Sequence, residues 1–182
     1  MSFRPRTLLI GAALPFALTM LAHAADAGSL GIGHAATPAE IAGWDIDVRA
    51  DGQGLPPGHG SVREGEKIFA DVCAACHGAK GEGKPADRLV GGFGTLATSK
   101  PVRTVGSYWP YATTLFDYIR RAMPFNAPQS LTADQVYAVS AYILYLNNIV
   151  AEDAVLDSAS LPRVKMPNRS GFTSPDPRPD VR

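Results

Sequence analysis

Cys73-Ala74-Ala75-Cys76-His77 is the stretch on which the reading of this chain turns, and it holds both cysteines of a 182-residue sequence. A disulfide between cysteines so close in sequence closes a very tight loop and is mostly seen at redox-active sites. A thioredoxin-like pair would follow a strand and open a helix at its first cysteine. Here a helical pattern precedes the pair instead. A structural zinc site typically takes four ligands of this kind, and the sequence supplies no second cysteine pair. Two thiols three positions apart, followed at once by an imidazole, do match the edge of a haem. The thiols add to its vinyl groups and the histidine lies below the iron as the proximal ligand. The pattern therefore predicts one covalent haem c on Cys73 and Cys76, with His77 as an axial ligand.

Working outward, Ser61 and Glu64 form a reciprocal capping box, and Ile68, Phe69 and Val72 recur at helical spacing up to Cys73. After His77, the run Gly78-Ala-Lys-Gly81-Glu-Gly83-Lys-Pro85 is too rich in glycine for regular structure. A second helix is expected over 114–123, with Leu115, Tyr118, Ile119 and Ala122 on one face and Pro124 as its stop. A third opens at Thr132, boxed with Gln135, and runs through Val136, Val139, Tyr142, Ile143 and Leu146 to Asn147-Asn148. No segment alternates as a strand does. The expectation is an all-α fold, three main helices around one haem, over 60–150.

The flanks read differently. Gly (18) and Pro (15) together exceed the usual share of about 12 % and crowd outside this central region. Residues 25–59 form an extended arm with one short helix after Thr37-Pro38-Ala39-Glu40, and 151–182 an extended tail. Residues 1–24 have the layout of a signal peptide: Arg4 and Arg6, an apolar run from Leu8 to Leu21, then Ala22-His23-Ala24. That run is shorter than the ~20 residues of a membrane span, so export to the periplasm with cleavage near Ala24 or Ala25, and no stable membrane insertion, is expected. Seventeen basic residues balance seventeen acidic ones without a basic run, which argues against a nucleic-acid partner.

The sixth iron ligand decides between electron transfer and chemistry on a small molecule. Met123, in Met123-Pro124-Phe125 between two helices, is the leading candidate; its alternative is a core methionine at a helix end. Met166 in the tail and His34 and His59 in the arm are the other thioether and imidazole groups outside the signal. Methionine ligation raises the reduction potential and fills the coordination shell. Tyr108, Trp109, Tyr111, Phe116, Tyr118 and Phe125 cluster in sequence around this loop. Most are expected in the core, while Tyr108 or Trp109 is a candidate donor to a haem propionate. Arg103, Arg120 and Arg121 are candidate propionate partners or simply solvated charges.

The segment from Gly65 to Asn147 resembles a class I cytochrome c. Gly65 and Phe69 on the first helix, Cys73 to His77, a loop with Leu89, the Met123-Pro124 loop and Tyr142 on the last helix carry the likeness. The resemblance implies that the first and last helices cross at Gly65, with Phe69 and Tyr142 packed at the contact, and that Leu89 lines the haem pocket. Asp87 stands where related sequences often have proline, which leaves open the usual carbonyl bond to the proximal histidine.

A narrower likeness involves Trp44-Asp-Ile-Asp-Val-Arg49, Gly54-Leu-Pro-Pro-Gly58, Thr104-Val-Gly-Ser-Tyr-Trp-Pro-Tyr111, Tyr118-Ile-Arg-Arg-Ala-Met-Pro-Phe125 and Lys165-Met-Pro-Asn168-Arg-Ser-Gly-Phe172. These resemble the cytochrome c subunit of sulfur and sulfite dehydrogenases, the SoxD type. The resemblance implies an electron-transfer subunit rather than an enzyme in its own right. It would accept electrons from a molybdenum-cofactor dehydrogenase subunit and pass them to a downstream cytochrome, with arm and tail wrapping the partner, or else being flexible extensions or covering the cytochrome's own surface. A free-standing soluble carrier, and a haem enzyme such as a peroxidase, are the alternatives.

Overall fold

Both reciprocal helix caps form. Ser61 Oγ accepts from the Glu64 amide at 3.2 Å while the Glu64 carboxylate accepts from the Ser61 amide at 2.9 Å, and Thr132 and Gln135 repeat the exchange. In this computed structural model, which describes residues 32–173, they open helices α2 (Val62–Val72) and α5 (Ala133–Leu146). The expected signal, 1–24, and the end of the tail lie outside the described residues. The remaining helices are α1 (Pro38–Trp44), α3 (Ala74–His77) and α4 (Ala112–Ala122). α2 does not run unbroken through the cysteines: it ends at Val72, and Cys73 serves both as its C-cap and as the start of the separate turn α3.

α5 is the centre of the fold. Every residue from Val136 to Leu144 is buried, as expected of a helix packed on several sides. α2 crosses it where Gly65 is needed: a Cβ there would overlap the Ala138 carbonyl. Phe69 and Tyr142 then meet with ring centroids 5.3 Å apart. α4 lies on another side of α5, and Phe116 packs on Tyr137 at 4.5 Å.

The buried face of α4 is wider than its sequence pattern suggested. Leu115 and Ile119 are buried as expected, but Tyr118 is 49 % exposed and Phe116 takes its place inside. Phe116 turns toward Tyr137 of α5, and α4 also lies beneath the arm. The Val48 amide donates to Asp117 Oδ1 at 3.0 Å, and Arg120 donates to the Ile46 carbonyl at 3.3 Å.

Two strands too short to show alternation add a small ladder to the helical fold: β1 (His59–Ser61) pairs antiparallel with β2 (Val155–Asp157), Gly60 opposite Leu156. β2 leads the tail back to the helices. Leu156, Leu161 and Met166 are buried in the same core as Phe69 and Phe116, and Tyr137 donates to the Pro56 carbonyl at 2.9 Å. These parts of arm and tail therefore cover this chain's own helices, one of the readings the sequence left open. Ile41 and Trp44 on α1 stay exposed, Trp44 at 88 %.

Candidate haem-binding site

α3 presents the two thiols and the imidazole from a single turn. Both cysteines are free thiols, Cys73 half-buried and Cys76 exposed. Burial, reinforced by the neighbouring Cys76, pushes the Cys73 thiol up to about 11, the opposite of the depressed thiol of a redox-active pair. The helix register also differs from a thioredoxin site, because α2 comes before the pair.

The loop after His77 is tied back onto α3. Gly83 and Ala86 amides donate to the His77 and Cys76 carbonyls at 2.7 and 2.9 Å. This loop delivers the Asp87 carbonyl to His77 Nδ1 at 2.8 Å. A carbonyl oxygen only accepts, so Nδ1 carries the proton and the lone pair is left on Nε2, the tautomer a metal-ligating histidine requires. The bond that the missing proline had put in question is present, because it needs the main chain of Asp87 and not its side chain.

Met123 is the C-cap of α4, half-buried against the apolar core together with Leu89, Trp109, Cys73 and Ile68. Met166 is 4 % exposed among core side chains. His59 sits exposed in β1 opposite Asp157. Two free thiols, an imidazole with its lone pair on Nε2 and a half-buried thioether are the chemistry that a covalent haem takes.

The aromatic residues do not form one cluster. Trp109 meets Tyr118 edge-on at 5.7 Å, whereas Phe116 belongs to the helical core and Phe125 is 85 % exposed. Arg120 and Arg121 serve the arm and Asp117, which leaves Arg103, over the Tyr108 ring at 5.7 Å, beside the candidate pocket residues.

Asn147 is a structural contributor that the sequence reading passed over as a helix stop. It is buried; its Oδ1 accepts from Gly91 at 3.1 Å and its Nδ2 donates to Leu89 at 3.1 Å. A Cβ on Gly106 would meet this same side chain. One amide thus fixes the Leu89 loop, and the signal for it was a polar asparagine directly after the apolar second half of α5, Ala141 to Leu146.

A cytochrome c family model matches residues 62–147. The sulfane dehydrogenase SoxCD from Paracoccus pantotrophus is a structural neighbour, 48 % identical with a TM-score of 0.76, over 82 % of this chain and 74 % of that one. Thiosulfate dehydrogenase from Psychrobacter arcticus is 30 % identical over 82 residues, which are 45 % of this chain and 25 % of that protein. The chain thus spans about a quarter of that curated relative. Among the described residues no helix is long and apolar enough to cross a membrane. With the α2–α5 crossing and the Cys73 to His77 turn in place, the likeness to the SoxCD structure establishes that the chain belongs to the cytochrome c family, whose members carry covalent haem c.

Proposed function

We propose that this chain is a periplasmic mono-haem electron-transfer subunit serving a molybdenum-cofactor dehydrogenase that oxidises sulfite or sulfane sulfur, and that it passes the electrons to a downstream cytochrome. Cys73 and Cys76 would hold the porphyrin by thioether bonds, and His77 Nε2 and the Met123 sulfur would be the protein's ligands to its iron. When bound, the haem supplies a one-electron couple whose potential methionine ligation raises. Asp87 keeps the His77 proton on Nδ1, and with it the ring orientation. Leu89, Tyr108 and Trp109 wall the pocket and keep water from it. With two ligands from the protein, the iron would have no position open to a substrate, so the chain would carry electrons and leave the sulfur chemistry to its partner.

The observation that carries the partner assignment is the extent of the likeness to SoxCD: 82 % of the chain, well beyond the residues 62–147 that suffice for a cytochrome c. A free carrier has no need to share the flanks of a dehydrogenase subunit. Native affinity purification followed by metal analysis tests the assignment. Molybdenum is expected alongside iron, and iron alone would overturn it.

A further inference from the structure

The tail does more than fill the core. Beyond the buried Met166, it turns twice, with the Arg169 amide donating to the Met166 carbonyl at 3.2 Å and the Gly171 amide to that of Asn168 at 3.1 Å. The turns set three side chains onto the segment that precedes α4. Asn168 Nδ2 donates to the Tyr108 carbonyl at 2.6 Å. The Phe172 ring meets the Tyr108 ring edge-on at 5.2 Å. The Arg169 guanidinium lies 4.7 Å over the Tyr111 ring.

These contacts are specific. A Cβ on Gly171 would strike the Asn168 side chain, so glycine there is what lets Asn168 reach Tyr108. Tyr108 is further held by its own amide to Thr104 at 3.0 Å and by Arg103 over its ring. Trp109, the next residue, is fixed on its other neighbour Tyr118 in α4. Tail and wall together border an open surface cleft of about 340 Å³ lined by Leu96, Pro101, Arg103, Tyr108, Asn168 and Phe172.

We propose that residues 166–172 act as a positioning strap: Asn168 and Phe172 hold Tyr108, and through it Trp109, so that this wall of the haem pocket stays closed to water. The proposal rests on the reading that Tyr108 and Trp109 wall the pocket. Asn168 and Phe172 act through Tyr108 and themselves need not touch the haem. The physical consequence follows from charge. Water reaching the pocket stabilises the ferric, more positively charged state, so loosening the strap lowers the reduction potential.

The test uses the full-length holoprotein. Phe172 is 52 % exposed, so Phe172→Ala is expected to fold, and Asn168→Asp replaces the donor by an acceptor facing a carbonyl. Each is expected to lower the midpoint potential while retaining the low-spin, methionine-ligated spectrum, with Phe172→Tyr, which keeps the ring, restoring it. Trp109→Leu is the internal control for the pocket reading. If Trp109→Leu shifts the potential while Phe172→Ala and Asn168→Asp, folded and haem-loaded, keep the wild-type value, the strap is overturned and the pocket reading survives. If none of the three shifts it, both are overturned. A shift in Phe172→Ala that Phe172→Tyr fails to reverse would also overturn the strap.

Discussion

His77 Nδ1 donates to the main-chain carbonyl of Asp87 at 2.8 Å, a bond that makes the loop geometry, and not the Asp87 side chain, responsible for the state of the imidazole. Asp87→Ala is therefore expected to keep the wild-type spectrum and midpoint potential. Ala86→Pro removes the amide that ties the loop to the Cys76 carbonyl. A weaker bond at Nδ1 makes the imidazole a poorer electron donor to iron, so redox titration should show a raised potential in that variant. A shift in Asp87→Ala of the same size would contradict this division of labour.

The two capping boxes were legible because each is a local rule, whereas the Gly65, Phe69 and Tyr142 crossing was legible through the resemblance to class I cytochromes c. The burial of Phe116 in place of Tyr118 was not, because it depends on packing against Tyr137 of α5, a tertiary contact that periodicity within α4 does not reveal. Long-range hydrogen bonds from single polar side chains were hidden for the same reason. Asn147, whose amide holds Leu89 and Gly91, reads in one dimension only as the end of a helix. The docking of the tail was hidden for another reason: Leu161 and Met166 stand among prolines and polar residues, yet three or so well-placed apolar side chains are enough to anchor an irregular segment to an existing core.

Two methionines separate ligation from packing. Met123→Ala is expected to yield a high-spin haem that binds carbon monoxide or cyanide, read by absorption spectroscopy, and an unchanged low-spin spectrum would move the sixth ligand elsewhere. Met166, 4 % exposed in the core, should behave in the opposite way. Met166→Ala is expected to cost about 2–5 kcal/mol in stability while the spectrum of the folded protein stays the same. Unreactivity of the wild-type haem toward those ligands would also remove the peroxidase alternative.

The α2–α5 crossing leaves no room at Gly65, where an added methyl meets the Ala138 backbone and Tyr142 Cβ. Backbone cannot rotate away as a side chain can, so the helices must separate. Gly65→Ala is expected to cost about 3 kcal/mol or more and to weaken the Phe69–Tyr142 contact, with a lowered Tm as the measurement.

Tyr137 supplies a pH dependence. Burial, with the Asp157 charge adding to it, raises the phenol to about 12, against about 10 in an unfolded chain. A group raised in the native state contributes its full stability below the unfolded value. As pH rises from about 10 toward 12, the unfolded phenol ionises while the native one stays protonated, and stability is lost over that window. Denaturant titrations should show this alkaline decline. Tyr137→Phe should show less of it, while giving up at neutral pH the bond to Pro56, worth about 1 kcal/mol.

Asp117 makes two interactions that substitution can separate, one to the arm and one within α4. Its Oδ1 accepts from the Val48 amide, and its Oδ2 pairs with Arg121. The Arg121 side chain is 47 % exposed, and pairs open to water contribute under about 1 kcal/mol. Asp117→Asn keeps an oxygen facing Val48, so its cost should stay within that limit. Asp117→Ala strands the amide under partial burial, and about 1–3 kcal/mol is expected, together with faster hydrogen exchange at Val48 than at the α5 amides. Equal costs for the two variants would instead assign the contribution of Asp117 to the ion pair within α4 and not to the arm.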